Sequence, residues 1–249
     1  MAIQTQRDKL LVMQMIFQAR YAEGYRLLDR KGDILNFISA EMPEWRIGPV
    51  ANQLLRFRHD SLPILANIGT SALDLAWDKQ QSADDSERSC PAFARACHQF
   101  YELVTSRLEL AKTKRVGVRY IIVAPADNAE ETDRAVCRAL RSPFQEHLCS
   151  ALRMDLVEGA TSLFLEEPET GQRRMVGIQS VLIDLPPGAP EPLGFRSEPS
   201  QGKGGLQLDV DTYLRPTSGR MEKVEVWIQE QLLKVLQLAT PVLLWPIQH

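Results

Sequence analysis

The sequence is poor in the features that mark secreted and membrane proteins. Only 4 of its 249 residues are cysteine and only 7% are aromatic. It contains no apolar run of about 18 residues, the length that a membrane-spanning helix requires. Its N-terminal segment, MAIQTQRDKL, has no apolar stretch followed by a small-residue cleavage site. We therefore expect a cytoplasmic protein with free thiols and without membrane contact.

A surplus of basic residues is also absent. The chain has 29 Lys and Arg against 32 Asp and Glu, which gives a net charge of −3. Because nucleic-acid-binding proteins usually carry a basic patch or stripe, this balance disfavours a dedicated nucleic-acid binder. Arg56 and Arg58 nevertheless share one face of a predicted strand. Nucleic-acid contact through Arg56 and Arg58 therefore stays as an alternative, although a solvated sheet face is the favoured interpretation.

Sequence motifs of common enzyme classes are missing as well. The chain has no P-loop, no G-x-G-x-x-G fingerprint and no G-x-S-x-G nucleophile elbow. The GKGG segment at 202–205 precedes a predicted strand, so it lacks the helix N-terminus that binds phosphate. The close Cys/His pairs, Cys97–His98 and His147-x-Cys149, lack the spacing of zinc sites. We therefore predict no catalytic residue, no cofactor and no metal ion.

What is present is the composition of an ordinary globular protein. Hydrophobic residues make up 44% of the chain and charged residues 24%. The length is sufficient to bury a substantial core. We expect residues 1–249 to form a single domain with a long Pro/Gly-rich loop at 186–205.

Hydrophobic periodicity divides the chain into strands and helices. A polar loop is expected at 80–89, before a helix that has Pro91 in its first turn. Strands are predicted at 10–19, 51–60, 71–79, 115–124, 151–159, 161–167, 174–185 and 205–214. Helices are predicted from Gly24 to Pro43, from Pro91 to Lys112, in the first part of 129–149, and at 223–239, where Pro241 ends the helix.

The order of these elements indicates the fold class. Hairpin-like neighbours outnumber β-α-β units, and hairpins join antiparallel strands. We therefore predict an α+β protein with a mainly antiparallel sheet and helices packed on one face.

Two predicted strands each carry two charged side chains on one face, where side chains recur at every second residue. Arg115 and Arg119 share a face of 115–124, and Asp209 and Asp211 share a face of 206–214. Opposite charges on neighbouring strands form cross-strand pairs. We therefore expect a structural ion-pair network that joins these four residues.

The same two aspartates support an alternative. Carboxylates two residues apart on one face of a strand lie about 7 Å apart, and such a pair can hold Mg²⁺. A metal site would need a further carboxylate, for which Asp155, Glu166 and Asp184 are candidates. A metal-dependent hydrolase or nuclease that uses Asp209 and Asp211 is therefore the second hypothesis.

The last predicted helix is apolar around most of its circumference. Such a helix is buried on nearly every side, either in the core of the chain or in an interface. Aromatic residues dominate the energetics of interfaces. We expect this helix to contact a protein partner or a second copy of the chain, with Trp227 and Trp245 as anchors.

Two short motifs in the predicted strands are similar to those of a known protein family. They are R-x-G-x-R-Y, formed by Arg115, Gly117, Arg119 and Tyr120, and L-D-x-D, formed by Leu208, Asp209 and Asp211. With the order of the elements around them, they resemble an uncharacterised, sporadically distributed bacterial protein family. The resemblance implies no activity, and the sporadic distribution implies a link to bacterial defence or mobile elements. The expected function is therefore that of a non-catalytic binding or interaction protein.

Overall fold

The computed structural model describes residues 9–22, 24–110, 112–126, 132–134, 136–137, 150–152, 160–182, 204–216 and 221–248. Within these ranges the chain forms one ten-stranded sheet and three long helices. The strands are β1 (Leu11–Tyr21), β2 (Trp45–Ile47), β3 (Leu54–His59), β4 (Ile64–Gly69), β5 (Ala72–Trp77), β6 (Gln81–Ser82), β7 (Thr113–Ala126), β8 (Ala160–Glu166), β9 (Arg173–Leu182) and β10 (Gly204–Leu214). The helices are α1 (Leu27–Glu41), α2 (Ala83–Arg107) and α3 (Val224–Gln248).

The strands pair throughout in the antiparallel sense. Their order is β2-β3-β4-β5-β1-β7-β10-β9-β8, and β6 pairs with β1. Hairpins place β3, β4 and β5 side by side, whereas β1, β7 and β10 bring together parts of the chain that are distant in sequence. The predicted α+β class with an antiparallel sheet is confirmed.

The core lies between the sheet and the helices, which pack on one of its faces as predicted. Phe17 of β1 and Tyr120 of β7 point to this side and are fully buried. The Phe17 ring meets the ring of Tyr101 in α2 edge-on, with 6.2 Å between the centroids. The Tyr120 hydroxyl donates a 3.0 Å hydrogen bond to the carbonyl of Ile228 in α3. These contacts anchor α2 and α3 to the centre of the sheet.

Helix α2 begins earlier than predicted. It starts at Ala83, and Pro91 lies inside the helix rather than in its first turn. The Ser82 hydroxyl accepts a 3.1 Å hydrogen bond from the Asp85 backbone N–H, and Asp84 and Asp85 occupy the first turn. A side-chain cap and acidic residues both stabilise a helix N-terminus. The polar loop predicted at 80–89 is therefore wrong, because most of this segment is the capped start of α2.

Strand β4 has no counterpart among the predicted elements. Ile64, Ala66 and Ile68 point to the core and are fully buried, but Asn67 is the one strongly polar residue on the other face. Such weak alternation does not distinguish a strand from a loop. Pairing with β3 on one side and β5 on the other decides the conformation.

Helix α3 continues beyond its predicted end. It runs to Gln248 and contains Pro241, so the prediction that Pro241 ends the helix is wrong. A proline inside a helix removes one backbone donor. Ala239 and Leu243, on either side of Pro241, are both fully buried, and this burial offsets the loss. None of the helices in the described ranges, α3 included, has the length and apolar character needed to cross a membrane.

Some predicted elements lie largely outside the described residues. Between 127 and 159, residues 132–134, 136–137 and 150–152 are described, and they are helical. The first two residues of the strand predicted at 151–159 are therefore helical, and the rest of that strand lies outside the described residues. The helix predicted in the first part of 129–149 otherwise lies outside them as well. Most of the loop predicted at 186–205 also lies outside them, and its last two residues already belong to β10.

Candidate functional site

The face of the sheet opposite the helices carries most of the polar side chains of the central strands. We call it the open face and define it by two rows of residues that face each other across neighbouring strands. One row runs through Arg58, Leu65, Ala76, Ile16, Arg119, Asp211 and Met175. The other runs through Arg56, Asn67, Asp74, Gln18, Gly117, Tyr213 and Arg173.

The four charged residues of the predicted network meet at the centre of the open face. Strands β7 and β10 are neighbours, and Asp211 lies opposite Arg119 in their register. Arg119 binds Asp209 with two hydrogen bonds, of 2.8 Å from Nε to Oδ1 and 2.5 Å from Nη2 to Oδ2. Arg115 Nη2 donates to Asp211 Oδ2 at 2.5 Å. The hydrogen bond to Asp209 raises the pKa of the Arg119 guanidinium above its usual value. Each aspartate therefore neutralises one arginine.

Gly117 makes room for this arrangement. A Cβ atom at Gly117 would lie 3.0 Å from Tyr213 Cβ and 3.2 Å from the Thr212 carbonyl oxygen. The Arg115 guanidinium stacks on the Tyr213 ring, with 4.1 Å from Cζ to the ring centroid. Because Gly117 has no side chain, β10 and the Arg115 side chain can both lie close to its backbone.

A shallow depression lies above Gly117. It has a volume of about 180 Å³ and is lined by Ile16, Gln18, Arg20, Arg115, Gly117, Arg119 and Asp211. Arg20 Nε donates to Gln18 Oε1 at 2.6 Å, and Gln18 Nε2 donates to Asp74 Oδ1 at 2.7 Å. The sequence patterns did not single out Arg20, because only the pairing of β1 with β7 places it beside Arg115.

The carboxylates proposed for a metal site are already engaged. Asp209 and Asp211 are bound by arginines, and Glu166 accepts a 2.6 Å hydrogen bond from Arg173 Nε. In the part of the chain that the structure describes, no group of three His, Cys, Asp or Glu side chains is placed to hold a metal ion. Asp155 and Asp184, the other candidate ligands, lie outside that part.

Arg56 and Arg58 lie on β3, towards one end of the open face, and both are exposed. Three strand steps, or about 15 Å, separate them from β1. Within the described ranges neither arginine takes part in an ion pair. They are therefore available to an anionic ligand but stand apart from the central network.

The structure describes the side chain of one of the two predicted interface anchors, Trp227, and that side chain is not exposed. Trp227 is buried within this chain, and its Nε1 donates a 3.1 Å hydrogen bond to Gln172 Oε1. The side chain of Trp245 lies outside the described residues. Among the described side chains of α3, the large apolar ones that are exposed are Val226 and Leu233.

Strand β8 presents a surface that the sequence analysis missed. Leu163, Phe164 and Leu165 are consecutive and have exposed fractions of 54%, 77% and 52%. β8 is the last strand of the sheet, and β9 is its one partner strand within the described residues. The apolar LFL segment was visible in the sequence, but its position at an edge was not, because strand order depends on contacts between distant residues.

Comparison with known proteins adds no family to this geometry. A search of family models finds none that matches this chain, and a search of curated proteins finds no match either. The functional proposals below therefore rest on the open face and on the edge formed by β8.

Proposed function

We propose that the protein is a non-catalytic interaction protein whose partner at the edge strand β8 is a second copy of the same chain. The observation that carries the proposal is the run of three exposed apolar residues, Leu163, Phe164 and Leu165, on that edge. Natural sheets normally protect an exposed edge with proline, lysine, a bulge or a very short strand. β8 has seven residues, contains neither proline nor lysine, and pairs with β9 in continuous register. No described residue pairs with the outer side of β8, and an edge of this kind favours pairing with another strand.

The sequence of β8 is compatible with pairing to itself. In an antiparallel pair with a twofold axis at Leu163, this residue lies opposite its own copy. Ser162 then lies opposite Phe164, and Ala160 lies opposite Glu166. No two like charges face each other in this register, and like charges in such positions would be destabilising. The twofold arrangement also keeps apolar residues at the centre of the contact.

The size of the contact indicates a reversible dimer. Standard stable complexes bury about 800 Å² per partner. A single pair of seven-residue strands forms a small interface by comparison. We therefore expect a dimer whose population depends on concentration, with a dissociation constant of about micromolar order.

Two further parts of the proposal have their own support. The absence of catalysis is supported by Asp209 and Asp211, whose carboxylates are bound by arginines. A cytoplasmic location is supported by the free thiols of Cys90 and Cys97. The link to bacterial defence or mobile elements rests on the resemblance alone. Phage plating on a bacterial host with and without the expressed chain tests that link, and unchanged plating would contradict it.

The dimer is tested by light scattering and analytical ultracentrifugation of the full chain over a concentration series. The wild type should shift from monomer to dimer. Leu163→Lys should remain monomeric, because it places two lysines directly opposite each other at the twofold axis. Val226→Lys is the matched control, since it places the same charge on an exposed apolar position of α3. It should dimerise like the wild type.

A charge-swap experiment sharpens the test. Leu163→Lys and Leu163→Glu should each be monomeric alone, whereas their mixture should form a heterodimer through opposite charges at the axis. A wild type that stays monomeric at every concentration would overturn the proposal. A dimer that Val226→Lys abolishes and Leu163→Lys leaves intact would instead place the interface on α3.

A further inference from the structure

We infer that the depression above Gly117 binds a small oxyanion, a phosphate or carboxylate group, between the guanidinium groups of Arg20 and Arg115. The site lies on the open face of the sheet and is independent of the edge strand β8. Nothing in its lining is required for the proposed dimer.

The first observation is the placement of two like charges. Arg20 of β1 and Arg115 of β7 are direct partners in an antiparallel register and lie on the same face. Directly opposed side chains have Cβ atoms about 5 Å apart, and like charges in such positions are destabilising. Arg115 has the Asp211 carboxylate as a counter-ion, whereas Arg20 has no carboxylate partner within the described residues. An anion between the two guanidinium groups would relieve this repulsion.

The second observation is a set of unused donors. Arg115 donates a hydrogen bond from Nη2 to Asp211. Its Nε is buried and has no hydrogen-bond partner within the described residues. This Nε lies 3.6 Å from the position that a Cβ atom of Gly117 would occupy. Arg20 uses Nε for Gln18, and its Nη atoms have no acceptor among the described residues. A guanidinium carries five N–H donors, so both arginines retain donors for a ligand.

The third observation is that the site is already ordered. The Arg115 side chain is held from two sides, by the Tyr213 ring beneath its guanidinium and by the Asp211 carboxylate. Gln18 orients Arg20 and is itself held by Asp74. Groups that are held in place before a ligand arrives lose little conformational entropy on binding.

Size and charge limit the class of ligand. Pockets for drug-sized molecules have volumes of about 300 to 1,000 Å³. The depression, with about 180 Å³, is smaller and therefore accepts one anionic group. Asp211 is the single carboxylate of the lining, and Arg115 neutralises it. Arg119 is neutralised by Asp209, so the surplus positive charge is that of Arg20. Planar guanidinium groups bind phosphate and carboxylate oxygens with paired hydrogen bonds.

The test is isothermal titration calorimetry of the full chain with sodium phosphate and, separately, with sodium acetate, at ionic strength matched with sodium chloride. The wild type should bind at least one of the two anions with a dissociation constant of about 1 mM or tighter. The two titrations show whether the site prefers phosphate or carboxylate. Arg20→Gln should weaken binding at least about tenfold, because it removes the charge that is not neutralised. Arg20→Lys, which keeps the charge but loses the fork of donors, should give an intermediate affinity.

Arg56→Gln is the matched control, since it removes another exposed arginine from the same face of the sheet. Circular dichroism and thermal unfolding of each variant establish that it is folded. Arg56→Gln should bind the anion as the wild type does. Absence of binding to both anions at concentrations well above millimolar would overturn the inference. An equal loss in Arg20→Gln and Arg56→Gln would also overturn it, because that result indicates diffuse attraction to the whole face.

Discussion

Gly117 shows how one residue shapes the open face. Glycine normally weakens the interior of a strand, because it has more conformational freedom and no side chain to pack. Here the space that a side chain would fill is occupied by neighbouring residues. Tyr213 packs against the bare backbone, and Arg115 folds over both of them. The R-x-G-x-R pattern therefore has a steric reason that the sequence pattern alone did not disclose.

A first prediction follows for Gly117→Ala. The new Cβ atom would lie 3.0 Å from Tyr213 Cβ and 3.2 Å from the Thr212 carbonyl oxygen. The second of these is a backbone atom of a paired strand and cannot move freely. We expect the free energy of unfolding to fall by about 1–3 kcal/mol, as measured by urea denaturation.

The matched control is Gly32→Ala in α1. A Cβ atom at Gly32 would have no neighbouring atom within 4 Å. Alanine is the better helix former, so this variant should be more stable than the wild type by about 0.5–1 kcal/mol. Changes of the same sign in the two variants would contradict the steric role of Gly117.

At the scale of elements, the pairing of β7 with β10 carries the charged centre of the sheet. The strands are paired over their full shared length, from Gly204 opposite Ala126 to Leu214 opposite Val116. One face of this pair is packed against α3, and the other holds the ion pairs. The ion pairs thus tie together two strands that are far apart in sequence.

A second prediction concerns the Arg119–Asp209 pair. The Arg119 side chain is 44% exposed and that of Asp209 is 14% exposed. Arg119→Ala should therefore cost more stability than Asp209→Ala, because it leaves the more deeply buried charge without its partner. In a double-mutant cycle by urea denaturation, we expect a coupling free energy of about 1 kcal/mol.

The Arg46–Asp60 pair provides the comparison for this cycle. Its side chains are 80% and 37% exposed, so solvent screens the attraction. Its coupling free energy should be about 0–0.5 kcal/mol. Strictly additive effects at Arg119 and Asp209 would show that the central pair contributes no more than a surface pair.

At the scale of the whole molecule, burial between the sheet and the helices changes the chemistry of several acidic groups. Burial, with a further effect of the Glu87 carboxylate, raises the pKa of the Cys90 thiol to about 12. Burial also raises the pKa of Cys97 and of Tyr120 well above their usual values. The pKa of Tyr21 is raised by burial and by the Asp74 carboxylate. All four groups are neutral when protonated, so the folded state holds their protons more tightly than the unfolded state.

A third prediction is therefore a loss of stability in alkali. The stabilisation is fully present below a pH of about 8, where the groups are protonated in both states. It should fall as the pH rises further, because unfolding then releases protons that only the folded state retains. Urea denaturation at a series of pH values from about 7 to 11 measures this decline.

Tyr120→Phe is the control for the alkaline decline. It removes the most deeply buried phenol and also its hydrogen bond to Ile228, so its stability at neutral pH should be lower by about 1 kcal/mol. Its loss of stability between about pH 9.5 and 11 should nevertheless be smaller than that of the wild type. Stability that is independent of pH up to 11 would contradict the effect of burial on these groups.

Local periodicity in the sequence is sufficient to predict several elements of the fold. Alternation marked β3, β5, β7 and β10, and a short continuous apolar run marked β1. The helical spacing of apolar residues marked α1 and the greater part of α2 and α3. These patterns were sufficient for the α+β class with helices on one face. The charge alternation of Arg115, Arg119, Asp209 and Asp211 also indicated which residues meet, because side chains two apart on a strand share a face.

Other features depend on contacts between residues that are distant in sequence, and local patterns did not predict them. The weakly alternating β4 became a strand through its two partners, and α3 continued past Pro241 because its later residues are buried. The same holds for the surfaces on which both functional proposals rest. β8 is an edge because of the order of all the strands, and Arg20 faces Arg115 because β1 pairs with β7. Strand order and register are properties of the whole sheet, and local periodicity carries no information about which distant strand a given strand will join.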